Sequence, residues 1–166
     1  MGLSLAAPTL ILLVALITDI RTRKVPNVWV LISIVIALAS SYYFYEFDGL
    51  KQGAIAAGMA LLLTLPLVLL GALGAGDMKI MFAFGLAGTY QQVFSVIVFS
   101  FLWGALIGIG ISIVRGRARA LLINTFKILT SQPRDDVELL KIPYTVALML
   151  GWITYLVLGA QQGALL

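Results

Sequence analysis

The chain has few groups able to move a proton near neutral pH. It has no histidine and no cysteine. That removes an imidazole base, a thiolate nucleophile, a disulfide framework and any Cys/His metal site. Acid–base chemistry then falls to lysine, tyrosine and seven carboxylates. Five of these, Glu46, Asp48, Asp135, Asp136 and Glu138, sit in polar stretches and read as solvated loop charge. Two stand apart. Asp19 closes one apolar run, and Asp77 opens another within Gly74-Ala75-Gly76-Asp77-Met78-Lys79. A carboxylate at the edge of an apolar segment is costly to keep there and points to function. If two such groups share a site, both cannot ionise cheaply, so one keeps a proton while the other serves as a base.

The elements that position them are helices in lipid. The chain is 61% hydrophobic and 11% charged, with a mean hydropathy of +1.07. A water-soluble domain carries roughly a quarter charged residues. Six apolar runs follow one another: Leu3–Ile17, Val28–Tyr45, Gln52–Leu73, Met78–Tyr90, Val93–Val114 and Ile142–Leu158. They predict an all-α polytopic membrane helix bundle with about six transmembrane helices. The fourth run spans only about 20 Å as helix and is short for a full crossing. Pro8 lies in the first half of the first run, where a kink is tolerated. Tyr42, Tyr43, Phe44 and Tyr45 read as an interfacial aromatic belt.

Loop charge gives the orientation. With the N-terminus outside, the inner loops hold Arg21, Arg23, Lys24, Lys79, Arg115, Arg117, Arg119, Lys127, Arg134 and Lys141, and only Lys51 falls outside. This bias fits the positive-inside rule and puts both termini outside, with Asp19 and Asp77 at the inner boundary. The net charge of +4 is therefore read as topology, not as a nucleic-acid surface. Residues 115–141 form the one sizeable extramembrane stretch. There Leu122, Phe126 and Leu129 predict a short amphipathic helix on the inner membrane surface, in contact with lipid. Residues 1–166 read as a single transmembrane domain.

Around the two aspartates the sequence supplies shaping residues. Gly74 and Gly76 remove side-chain bulk beside Asp77 and permit close approach of another backbone, such as a peptide. The alternative is an ordinary turn with Asp77 as a helix N-cap. Arg21 follows Asp19, and Pro26-Asn27 opens the next helix, with Asn27 placed to satisfy free backbone donors. Lys79 is placed either to orient substrate or tune Asp77, or to snorkel to the interface.

Asp19, Val25-Pro26-Asn27 and Gly74-Ala75-Gly76-Asp77-Met78-Lys79, in that order, resemble the type IV prepilin peptidase family of GxGD aspartyl proteases. Ile142-Pro143-Tyr144, with Gly151 behind it, is similar to the family's closing segment. The resemblance implies a membrane aspartyl endopeptidase of the bacterial inner membrane. Asp19 and Asp77 would be its catalytic pair, and Gly74, Gly76, Lys79, Arg21, Pro26 and Asn27 would bind substrate or shape the site. It implies no metal and no cofactor. The implied substrate is a prepilin-like precursor with a short basic leader, cut on the cytoplasmic side, with pilus assembly machinery as a possible partner and no nucleic acid. Without the cysteine-bearing part of the long family members, the chain is similar to the short protease-only form of tight-adherence (Flp) pilus systems, and methyl transfer is not expected. Asp135, Asp136 and Glu138 would attract a basic leader.

Helix dipoles favour Asp77 as base and Asp19 as acid, an effect of about 0.3–1 kcal/mol that Arg21 is able to cancel. Two other readings use the same residues. A small transporter would employ Asp19 and Asp77 as a proton or ion site, which calls for carboxylates near the midplane and an inverted repeat. A structural subunit of a secretion platform leaves the paired motifs without a reason.

Overall fold

A computed structural model describes residues 2–23, 25–116 and 144–161. All regular structure among them is helical. A short 3-10 turn, Gly2–Leu5, leads into α1 (Ala6–Thr22), followed by α2 (Asn27–Leu69), α3 (Ala75–Leu86), α4 (Tyr90–Val114) and α5 (Tyr144–Gln161). Of these, α2, α4 and α5 are long and apolar enough to cross a membrane. The expected amphipathic helix around Leu122, Phe126 and Leu129, and the acidic group Asp135, Asp136 and Glu138, lie outside the described residues.

The second and third apolar runs fall within one helical element. At 43 residues, α2 as a straight rod would measure roughly 65 Å, about twice the hydrocarbon thickness of a bilayer. It is broken at Glu46, whose φ of 52° and ψ of −141° are not helical. There the chain folds back on itself. A Cβ added at Gly49 would collide with the Ser41 carbonyl, although eight residues of straight helix would separate the two by about 12 Å. Ala37 and Ala57 likewise meet in one buried cluster with Ile11 and Leu86. The polar gap at 46–51 between the second and third apolar runs, which reads as a turn, is thus compressed to the single non-helical residue Glu46, and the helix resumes at once. A left-handed φ on a residue with a Cβ is strained, and here the strain accompanies the reversal.

Other ends shift for local reasons. α1 runs on past Ile17, takes in Asp19, and stops where Arg23 adopts a left-handed φ of 53° and gives its N–H to the Asp19 carbonyl at 2.7 Å. Pro8 causes no break, since it occupies the first turn, where a missing N–H costs nothing. The fourth run begins early, at Ala75, and ends at Leu86, because Thr89 and Gln92 form a reciprocal capping box that starts α4 at Tyr90.

Lipid gives little hydrophobic drive between helices, so close approach comes from small residues. The buried face of α2 carries Ala37, Ser41, Gly49, Gly53, Ala56, Ala57, Ala60 and Thr64. α3 packs chiefly against this face. A Cβ at Gly85 would come within 2.7 Å of the Ala57 Cα, and one at Gly53 within 2.5 Å of the Leu86 carbonyl oxygen. Ser41 donates to that same carbonyl at 2.6 Å. α4 and α5 form the other main pair, closest at Gly151, where a Cβ would stand 2.7 Å from the Val96 carbonyl oxygen. Trp152 closes the centre. It is fully buried, packs edge-on against Phe84 at 5.3 Å and donates its indole N–H to Thr9 at 2.9 Å.

Two glycine substitutions test this packing. Gly151→Ala forces the α4 backbone away and is expected to destabilise the fold by about 1–3 kcal/mol. Gly58→Ala, with open space where its Cβ would go, is expected to be neutral or to stabilise by up to about 1 kcal/mol. Thermal unfolding of both variants in detergent measures the difference. Equal Tm values would refute the tight contact at Gly151.

Candidate active site

Asp19 lies in the last turn of α1, and Asp77 is the third residue of α3. Asp19 is only 7% exposed. Its Oδ2 accepts a hydrogen bond from the Thr145 hydroxyl of α5 at 2.7 Å. Asp77 is half-buried and near enough to Asp19 to respond to its charge. The ends of three helices, α1, α3 and α5, therefore converge on two carboxylates.

Asp77 does not act as an N-cap. That position belongs to Gly74, in extended conformation, and the Asp77 carboxylate reaches back to the Gly74 N–H. This is the return half of a capping box, made by the third helical residue. It gives Gly74 a physical reason: a Cβ there would lie 2.8 Å from Asp77 Oδ2. Gly76 is less constrained, since a Cβ would meet the Val25 side chain at an ordinary 3.8 Å.

That contact brings the Val25-Pro26-Asn27 segment over the start of α3. A second tie lies beside it, where Lys79 Nζ donates to Asn27 Oδ1 at 2.9 Å. Asn27 thus engages Lys79, and no side chain caps the start of α2. Pro26, with φ −62° and ψ 138°, holds the chain extended up to that point. The two sequence motifs, about 50 residues apart, form one surface. Arg21 is exposed, and no ion pair to it is found among the described residues.

Thr145 had no place in the sequence argument. The signal available was a hydroxyl directly after Tyr144 at the start of an apolar helix. Tyr144 itself is hydrogen-bonded to Ser100 of α4, which anchors this end of α5. A separate small cleft, lined in part by Ser4, Ser41, Gln52 and Gln92, is not part of this site. It lies at the opposite end of α1, roughly 20 Å from Asp19 along the helix.

Asp77 precedes the apolar part of α3 and lies outside the three long membrane-type helices. Burial pushes its carboxyl up from its ordinary 3.8 to about 6. The neighbouring Asp19 charge adds to the rise, and the Gly74 N–H opposes it. Between those two pH values the folded chain keeps a proton that the unfolded chain has lost. The resulting stabilisation is fully present below pH 3.8 and is lost as pH rises through about 6. Asp77→Asn is expected to lack this decline. Tm measured against pH for wild type and variant checks it, and parallel curves would refute a raised Asp77.

In comparisons with known proteins, residues 6–109 match the type IV leader peptidase family. The matched region contains α1 to α3, most of α4, both aspartates and the contacts that link Val25-Pro26-Asn27 to the start of α3. No match is found among curated proteins or among solved structures. With more than half its length matched, the chain belongs to the type IV leader peptidase family, a family of proteases.

Proposed function

We propose that this chain is a membrane aspartyl endopeptidase that removes the short leader of a prepilin-like precursor, with Asp19 and Asp77 as the catalytic pair. The observation that carries the reading is the convergence of two carboxylates from separate helices, close enough for one to raise the other. In a chain of the leader peptidase family, that is the arrangement aspartyl catalysis needs. The transporter reading is set aside on the same family membership.

Burial is the largest influence on Asp77 and acts against the helix dipole. We therefore assign the shared proton to Asp77 and the role of base to Asp19, the reverse of the order the dipoles alone favour. Asp19 takes a proton from water as the water oxygen attacks the scissile carbonyl carbon. Asp77 gives its proton to the carbonyl oxygen. As the tetrahedral intermediate collapses, the C–N bond breaks and the proton held by Asp19 passes to the leaving amine, while Asp77 recovers its own. Gly74 leaves room for the Asp77 carboxylate, and the surface around Gly76, Val25 and Pro26 offers an open approach for an extended peptide.

The proposal includes a multi-pass chain of about six crossings in the bacterial inner membrane, with both termini outside and the site on the cytoplasmic face. Residues 1–166 would act as one domain of the short, protease-only kind found in tight-adherence (Flp) pilus systems. Its substrate would carry a basic leader before a hydrophobic helix.

Cleavage of a matched prepilin in membranes tests the assignment. Asp19→Asn and Asp77→Asn are each expected to lower kcat/KM by roughly 100- to 10,000-fold while the protein still folds. Near-wild-type cutting by either variant would make that aspartate structural and end the two-aspartate mechanism.

A further inference from the structure

Thr145 is the second residue of α5, 2% exposed, and its hydroxyl crosses 126 positions of sequence to reach Asp19. Most of the described helical threonines behave differently. Thr9, Thr18, Thr22, Thr64 and Thr154 each bond a carbonyl one turn back in their own helix. Thr145 instead gives its hydroxyl to a partner on another helix. That partner is a carboxylate at the end of α1, where a helix dipole disfavours an anion. Tyr144, anchored on Ser100, and Gly151, wedged against the Val96 carbonyl, fix the rotation and depth of α5. Thr145 therefore meets Asp19 in one defined geometry.

We propose that Thr145 is the positioning residue of the site, holding Asp19 Oδ2 so that the other oxygen of the carboxylate is left free to take the proton of the attacking water. The inference rests on the peptidase reading above. Hydrogen bonding to the ionised carboxylate favours the form a base must have. The other titratable groups toward this end, among the described residues, are Asp77 and Lys79 on α3, Tyr144 on α5, Arg21 and Arg23 at the end of α1, and Arg115 at the end of α4. Lys79 is engaged by Asn27. Those of α2 lie between Tyr42 and Lys51, around the break at Glu46 and away from the site. Thr145 is the hydroxyl in contact with Asp19.

The test is steady-state cleavage of a leader-bearing prepilin by the full chain across pH 4.5–8, with wild type, Asp19→Asn, Thr145→Val, Thr145→Ala and Thr145→Ser. Losing one hydrogen bond to a charged group is expected to lower kcat roughly 10- to 100-fold in the valine and alanine variants. KM is expected to stay within about twofold, because Thr145 does not touch the substrate. Thr145→Ser is expected to restore kcat. Wild-type kcat in the valine or alanine variant would overturn the proposal. So would a loss that serine does not restore, a loss carried by KM instead of kcat, or the unfolding of both hydroxyl-free variants, each of which marks a merely structural residue. The controls separate the two levels. If wild type cuts and Asp19→Asn does not, the peptidase reading stands whatever Thr145 does. If wild type fails to cut, or Asp19→Asn still cuts, that reading fails and this inference falls with it.

Discussion

A carboxylate buried at the end of an apolar bundle must find a hydrogen-bond partner within the protein, because little water reaches it. For Asp19 that partner is Thr145, and satisfying it fixes much else. α1 must end, and α5 must begin, at the same depth. That depth is set where small residues let backbones touch, at Gly151 against α4 and at Gly85 and Gly53 in the α2–α3 pair. Thr145 lies about 9 Å along α5 from Gly151, under two turns of helix. A slide of α5 by one residue would move the hydroxyl about 1.5 Å along its axis and rotate it by about 100°. The packing of small residues and the geometry of the candidate site are thus two readings of one register.

The two aspartates are chemically identical and differently housed. Asp19 is nearly enclosed and bonded across helices. Asp77 is more open, bonded within its own first turn, and raised by burial and by its neighbour. A pair in matching environments would have no built-in preference for which member keeps a proton. Here the hydrogen bonds also differ in origin. A cross-helix hydroxyl holds Asp19, and a local backbone N–H, which Gly74 leaves unobstructed, holds Asp77. Lys79 and Asn27 add a polar tie that keeps the α1–α2 connection against the start of α3.

Much of this was legible in the sequence. Composition pointed to a helical membrane protein, and the absence of histidine and cysteine narrowed the acid–base chemistry to carboxylates, lysine and tyrosine. Asp19 and Asp77 stood out because each stands at the edge of an apolar run. The reversal inside α2 was visible as a polar turn over 46–51. Its single non-helical residue was not, because no sequence preference marks Glu46 for a positive φ. Asn27 was expected to cap a helix and instead engages Lys79, since capping preference is local and the lysine arrives from 52 residues away. Thr145 escaped for the same reason. A threonine in an apolar helix ordinarily bonds back to its own backbone, and only the packing of α5 against α1 shows that this one reaches Asp19.

Among the described residues, the polar contacts between helices are unevenly distributed. Ser41 to the Leu86 carbonyl, Trp152 to Thr9 and Trp103 to Thr154 each join a different pair of helices along the bundle. Ser100 with Tyr144, Thr145 with Asp19, and Lys79 with Asn27 gather around the two aspartates. Dispersion and small-residue packing are tolerant of sliding, whereas a hydrogen bond in an apolar medium is satisfied at one offset only. The contacts that specify register most sharply are therefore concentrated where a misplacement of an ångström would matter most to the chemistry proposed for this end of the bundle. An apolar exterior leaves the fold few other means of choosing its register, so the residues that define the site also define the fold.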